Sequence, residues 1–202
     1  WALTLVHSCQ FSRHRGRISD EQGGYSKQCL PVLEQPGGVA WCVYDERIHR
    51  LGMEFEDYRN AASLGAVKHA ESVDRLAAAC GLPREALAAT LAEVERYVHG
   101  EAADPFGRDF RTKPALRAPF FAVRVTGALF HTQGGLLIDA NGRVLTAAGA
   151  PLPNLFAGGG AACGVSGAHV WGYLSGNGLL AATTFGRLAG HAAALQVRSP
   201  AA

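Results

Sequence analysis

Glycine is concentrated in the last third of the chain, and this distribution constrains the fold more than any other feature. The 202-residue sequence contains 25 glycines, which are densest between Gly134 and Gly190, whereas most charged residues precede Arg124. A glycine lets the backbone approach groups that a side chain would keep away. Glycine-rich segments that follow strands are therefore suited to close contact with a cofactor, and the two parts of the chain are expected to differ in structure.

Composition excludes several classes of protein. Apolar residues make up 48% of the chain, which is enough to build a core. A net charge of +2 gives no broad basic surface for nucleic acid. The five cysteines are scattered without a C-x-x-C pair, so we expect no disulfide framework, no metal site and a cytoplasmic location. The first six residues lack the basic lead of a signal peptide, and no apolar run approaches the roughly 18 residues of a membrane span.

The first part of the chain has clear strand and helix signals. Residues 39–44 are β-branched and aromatic, which predicts a strand. Ser72 can cap a helix over 73–80, and Gly81 stands where a helix ends in the left-handed region. Pro83 starts a second helix that ends at Gly100. Apolar residues recur along this helix at the spacing of one core face, and they are Leu87, Leu91, Val94 and Val98.

The second part predicts short strands and one long helix. Residues 121–125 alternate as a strand does, and 136–139 is expected to pair with 143–146 across a tight turn at Asn141 and Gly142. Residues 154–157 form another short strand that leads into three glycines. An alanine-rich helix is predicted over about 179–195, and its exposed first amides suit an electron-rich oxygen.

An ordered run of motifs in this second part resembles the C-terminal region of one flavoprotein family. The run starts with F-H-T-Q-G-G-L-L-I-D at 130–139, continues with N-G-R-V-L at 141–145 and P-N-L-F-A-G-G at 153–159, and ends with G-N-G-L at 176–179 and F-G-R-L-A-G at 185–190. It is similar to the fumarate reductase/succinate dehydrogenase flavoproteins, which include tricarballylate and 3-ketosteroid dehydrogenases. Upstream, G-R-I-S-D-E at 16–21, V-Y-D at 43–45 and the Pro83 helix resemble the capping domain of that family.

The resemblance implies an α+β fold in which residues 1–124 form a capping domain and residues 125–202 form the C-terminal part of a flavin domain. It implies FAD as cofactor, although no G-x-G-x-x-G turn occurs in the chain to hold the FAD pyrophosphate. The chain thus resembles the second half of such an enzyme. The implied cofactor-binding residues lie beside the isoalloxazine (Thr132, Gln133, Gly134, Gly135), near the ribose (Gly158, Gly159) and at the pyrimidine edge (Asn177, Gly178, Leu179).

Three positions depart from the fumarate reductase pattern. Gly160 stands in place of the acid that holds the ribose, Tyr173 in place of the substrate-binding arginine, and Tyr25 near the place of the proton-donating arginine. Neutral phenols cannot make the charge-assisted, bidentate bonds that hold a dicarboxylate. Fumarate is therefore not the expected substrate, and a neutral carbonyl compound is favoured over it.

Several side chains admit two interpretations. His131 is a candidate donor to a substrate carbonyl or carboxylate, or a structural histidine at a strand end. His169 either lines the substrate pocket or anchors a loop, and Tyr25 and Tyr173 either donate protons or pack. We expect Cys163 to be a small buried residue. The basic turn from Arg13 to Arg17 is predicted to be a solvated loop.

Two functions remain open at this point. In the first, the chain is part of an FAD-dependent oxidoreductase that moves a hydride between the flavin and a C–C bond next to a carbonyl or carboxylate, active only with a complementary FAD-domain half. In the second, it is a non-catalytic remnant or oligomerising domain without FAD. Apolar sheet surface that would meet the other half predicts a homo-oligomer in either case.

Overall fold

The computed structural model describes residues 8–12, 16–129, 131–167 and 169–198. Their backbone contacts separate two compact units, which divide between Ala128 and Leu129. The predicted mixture of helix and sheet is confirmed. None of the helices in the described ranges has the length and apolar character that a bilayer crossing requires.

The first unit is built on a five-stranded antiparallel sheet in the order β2-β1-β3-β5-β4. Its strands are β1 (Cys9–Ser12), β2 (Gly16–Arg17), β3 (Val39–Asp45), β4 (Val67–Ala70) and β5 (Phe120–Thr126). The sequence prediction placed β3 and β5 correctly. The central pairing of β3 with β5 runs from Val39 opposite Thr126 to Asp45 opposite Phe120.

Successive strand residues point to opposite sides of the sheet. Both faces therefore carry apolar side chains, and helices cover both. On one face, Val43 and Ala122 pack in a core with Leu76 and Leu87. On the other face, Tyr44 belongs to a second core. The helices of this unit are α1 (Tyr25–Leu33), α2 (Glu46–Gly52), α3 (Glu56–Ser63), α4 (Val73–Cys80) and α5 (Arg84–Val98).

Helices α4 and α5 form as their sequence signals predicted. The Ser72 hydroxyl accepts a hydrogen bond from Arg75 N at the start of α4, and Gly81 ends the helix with φ of 63°. Pro83 stands at the N-cap of α5, one position before the helix begins. Within α5, Leu87 and Val94 are buried and the other two residues of the predicted stripe pack against the same core.

Arg17 corrects the prediction of a solvated basic turn, since its side chain is buried in a charge network. Its guanidinium bonds Glu21 at 2.9 Å and also pairs with Asp104, while Arg108 Nη1 reaches Glu21 Oε2 at 2.7 Å. Burial alone would lower the pKa of Arg17. The hydrogen bonds to Glu21 and Asp104 outweigh this effect and raise the pKa above its ordinary value, so the guanidinium stays charged. Residues 13–15 of the predicted turn lie outside the described residues.

The second unit combines a two-stranded sheet with one long helix. Its strands are β6 (Arg143–Leu145) and β7 (Pro151–Phe156), which pair antiparallel, and its helix is α6 (Asn177–Arg198). The turn at Gly142 forms with φ of 77°, as predicted. The predicted pairing across this turn is confirmed: Ile138 forms an antiparallel bridge with Val144, Asp139 N donates to Arg143 O at 2.9 Å, and Leu145 N donates to Leu137 O at 2.8 Å. Strand β6 also pairs with β7, which the sequence motifs did not predict.

Candidate functional site

A parallel backbone contact joins the His131 segment to the glycine-rich loop that follows β7. Leu136 N donates to Ala161 O at 2.9 Å, Cys163 N donates to Leu136 O at 2.9 Å, and Gly164 N donates to Gln133 O at 2.8 Å. A Cβ on Gly135 would overlap the backbone of Ala162. Glycine is therefore required at this position by the close approach of the two segments.

Two of the predicted catalytic residues meet at the start of α6. The rings of His131 and Tyr173 lie edge to face, with centroids 6.4 Å apart and an interplanar angle of 81°. His131 also packs over Gly178, where an added Cβ would lie 2.8 Å from His131 Cε1. The structure thus brings together an imidazole, a phenol and the first turn of a helix.

Asn177 is buried beneath this arrangement. Its Nδ2 donates to Ser166 Oγ at 2.7 Å and to Leu174 O at 2.6 Å, and its Oδ1 accepts from Gln133 Nε2 at 3.5 Å. Sequence reasoning missed Ser166. No sequence motif indicated Ser166, because its hydrogen-bond partners, Leu174 and Asn177, lie eight and eleven residues further along the chain.

The glycines predicted near the ribose have a packing function in the structure. A Cβ on Gly158 would lie 3.2 Å from Phe185 Cβ, and one on Gly159 would lie 3.2 Å from Ala182 Cβ. Gly159 also has φ of 56°, which favours glycine. These residues let the 3-10 turn Gly159–Ala161 lie directly on α6, which fixes the loop relative to the helix.

The remaining predicted site residues lie outside the contact between His131 and Tyr173. Thr132 and Leu179 are exposed beside the His131 and α6 contacts, and His169 is exposed at the start of the 3-10 turn Val170–Gly172. Tyr25 begins α1 in the first unit, and its side chain lies outside what the structure describes. Cys163 was expected to be buried but is exposed, because the parallel contact uses its backbone and leaves the thiol at the surface.

The residues of this region suit a flavin nucleotide. Gln133 Oε1 is a buried acceptor without a hydrogen-bond partner, and the backbone at Gly134 and Gly176 faces open space. The first turn of the 22-residue α6 contains no acidic side chain, so its amides remain attractive to an electron-rich oxygen. These are the donors and acceptors that a ring system with carbonyl oxygens and an N–H requires.

Comparison with known proteins agrees with this chemistry. The model of the FAD binding domain family matches residues 20–179. A probable fumarate reductase, Ifc3, from Shewanella frigidimarina is 31% identical over 189 residues, which cover 94% of this chain and 31% of that protein. The chain therefore belongs to the FAD-binding oxidoreductase family of fumarate reductase type, whose cofactor is FAD.

Solved structures show the same relationship. The open conformation of a flavocytochrome c3 fumarate reductase matches with a TM-score of 0.70 and 27% identity, over 98% of this chain and 34% of that one. The 3-ketosteroid-Δ4-(5α)-dehydrogenase of Rhodococcus jostii RHA1, solved with 4-androstene-3,17-dione, matches with a TM-score of 0.60 and 26% identity, over 95% of this chain and 39% of that one. The chain thus spans about a third of the length of the relatives it matches.

Proposed function

We propose that this chain is the capping and C-terminal flavin-domain part of an FAD-dependent oxidoreductase that acts on a C–C bond next to a neutral carbonyl group. The observation that carries the proposal is the meeting of His131 and Tyr173 at the start of α6. FAD, when bound, supplies the hydride acceptor or donor. The side chains of this site then have to bind and polarise the substrate.

The choice of a neutral carbonyl follows from the charge of the site. Neither 131–136 nor 158–179 contains a lysine or arginine. A dicarboxylate bound to these two segments would meet no guanidinium or ammonium group, and those are the cations that make the bidentate, charge-assisted bonds such a substrate needs. A ketone oxygen needs a single good donor, and His131 or Tyr173 can provide it. The steroid ketone bound by the Rhodococcus jostii relative supports this substrate class.

The cofactor would be held by backbone groups and one amide side chain. We assign the first-turn amides of Gly178 and Leu179 to its carbonyl oxygens and Gln133 Oε1 to its N–H. Thr132, Gly134 and Gly135 complete the ring contact, and Gly158 and Gly159 approach the ribose. The chain contains no G-x-G-x-x-G turn. We therefore expect this chain alone to purify colourless and to bind FAD weakly.

A flavin titration tests the proposal in two stages. FAD is first added to the chain alone, and flavin that stays bound through gel filtration would contradict the expected weak binding. The titration is then repeated with a complementary FAD-domain half, where tight binding and turnover of a cyclic ketone, but not of fumarate, are expected. No flavin binding with the added half would instead support a non-catalytic oligomerising domain.

The reconstituted enzyme also tests His131. As a donor to the transition state, its replacement in His131→Ala should lower turnover by roughly ten- to ten-thousand-fold. Tyr173→Phe, which keeps the ring and removes the hydroxyl, shows whether the phenol contributes to proton donation. Fumarate reduction at the rate of authentic relatives, or full activity of His131→Ala, would contradict the assigned site.

A further inference from the structure

We infer that Asn177 is a positioning residue whose buried carboxamide holds Tyr173 in its edge-to-face contact with His131. Its importance for catalysis rests on the function proposed above. The positioning itself follows from hydrogen bonds within the second unit, and it can be measured without a cofactor.

The carboxamide of Asn177 joins three separate segments of chain. The residue is only 1% exposed, and it bonds Ser166 in the glycine-rich loop, Leu174 just before α6, and Gln133 in the His131 segment. A buried amide that bonds several partners fixes their relative positions, because moving any one partner away breaks a buried hydrogen bond. Asn177 is therefore the common attachment point of the loops that form the site.

Leu174 transmits this constraint to Tyr173. Its N–H donates to Ser166 Oγ at 3.0 Å and its carbonyl accepts from Asn177 Nδ2 at 2.6 Å, so the backbone is bonded on both sides. Its side chain is 56% exposed and cannot hold the loop by packing alone. The backbone of the preceding residue, Tyr173, is consequently fixed by Asn177 and Ser166.

The other half of the ring pair is tied to the same amide. Gln133 lies two residues after His131, and its Nε2 donates to Asn177 Oδ1. Gly178, the residue after Asn177, leaves just the space that the His131 ring occupies. Both rings of the edge-to-face pair are thus held within two residues of an Asn177 contact.

The orientation of the amide makes a sharp test available. The Leu174 carbonyl can only accept a hydrogen bond, so the group that faces it must be the NH₂ of Asn177. Asn177→Asp has the same shape but presents an oxygen to that carbonyl and loses both donated bonds. Ser166→Ala removes the second partner without placing a charge in the site. Ser166→Thr keeps the hydroxyl and should restore the arrangement.

The measurement is the NMR resonance of the His131 Cε1–H group in the 202-residue chain, assigned among the eight histidines by the loss of its signal in His131→Gln. Tyr173→Leu removes the ring current and defines the resonance position without the contact. Asn177→Asp and Ser166→Ala should each move the resonance most of the way to that position, whereas Ser166→Thr should leave it unchanged. Thr183→Ala, which removes a hydroxyl bonded to two carbonyls of its own helix, is the matched control.

Two outcomes would overturn the inference. One is a His131 resonance that stays in place in both Asn177→Asp and Ser166→Ala while Tyr173→Leu shifts it. The other is a resonance that Tyr173→Leu itself does not move. Amide spectra show whether each variant is folded. If Asn177→Asp does not fold, the His131 resonance of Ser166→Ala alone tests the inference. Failure to bind FAD in the titration with the complementary half would contradict the proposed function and leave this result intact.

Discussion

At the scale of single residues, the environment of a polar side chain depends on the partners that the fold brings to it. His131 and Tyr173 were named as candidates, and the structure places them together. Arg17 and Cys163 were assigned the wrong environments. Arg17 is buried between Glu21, four residues along the chain, and Asp104, 87 residues away, and no local pattern contains a contact of the second separation. Burial of a polar group is decided by such distant partners.

The cysteines should differ in reactivity according to burial. Burial raises the pKa of Cys42 to about 12 and that of Cys80 to about 11, and it also raises the pKa of Cys9. Since the thiolate is the reacting form, iodoacetamide at pH 8 should label the exposed Cys163 first. Peptide mass spectrometry measures the order. Labelling of Cys42 in the native protein as fast as that of Cys163 would contradict the described burial.

Removal of Glu21 should strongly destabilise the first unit. Its carboxylate is fully buried and bonds both Arg17 and Arg108, so Glu21→Ala leaves two buried guanidinium groups without this partner. The expected loss is about 3–5 kcal/mol in the free energy of unfolding, measured by urea denaturation. Glu46→Ala, which breaks an exposed pair with Arg50, is the control and should cost about 1 kcal/mol or less. Equal losses in the two variants would be evidence against the network.

At the scale of elements, capping signals located helices α4 and α5, and an alanine-rich composition located α6. Helices α4 and α5 have a capping serine, a terminal glycine or a flanking proline, and both were placed within a residue or two. Helix α1 contains Pro31 and has no side-chain cap, so its sequence argued against a helix that the sheet nonetheless stabilises. Helix α2 carries a capping signal, since the Asp45 side chain accepts from Arg47 N, but seven residues give too little periodicity to detect.

The cap of α4 should contribute measurably to stability. Ser72→Ala removes the acceptor for Arg75 N and leaves an unsatisfied amide in the first turn. We expect a loss of about 1 kcal/mol in the free energy of unfolding, and Ser72→Asp should retain most of the stability. Thermal unfolding followed by circular dichroism gives both values. A Ser72→Asp variant as unstable as Ser72→Ala would show that the hydroxyl has another function.

At the scale of the whole molecule, the two units differ in how well they bury their apolar surface. The first unit covers both faces of its sheet with helices. The second has a small core of Val144, Ala157 and Ala162, and many of its large apolar side chains are exposed. Apolar surface in this part is expected from the sequence, because the motifs resemble the second half of a longer flavoprotein, and the matched relative Ifc3 is about three times as long as this chain. The exposed set comprises Leu129, Leu136, Leu137, Leu152, Leu155, Val165, Leu174, Leu179, Leu180, Leu195 and Val197.

This exposed surface leads us to expect that the chain associates with itself. Apolar patches of this kind commonly mark protein contacts, so light scattering should report a dimer or a larger assembly that dissociates on dilution. Leu137, which is 63% exposed in the second unit, tests the surface: Leu137→Lys should shift the equilibrium toward monomer. The matched control is Leu64→Lys at a position that is 84% exposed in the first unit, and it should leave the assembly unchanged. A wild-type chain that remains monomeric over a wide range of concentrations would contradict the expectation, and equal effects of the two variants would show that the second unit is not the contact surface.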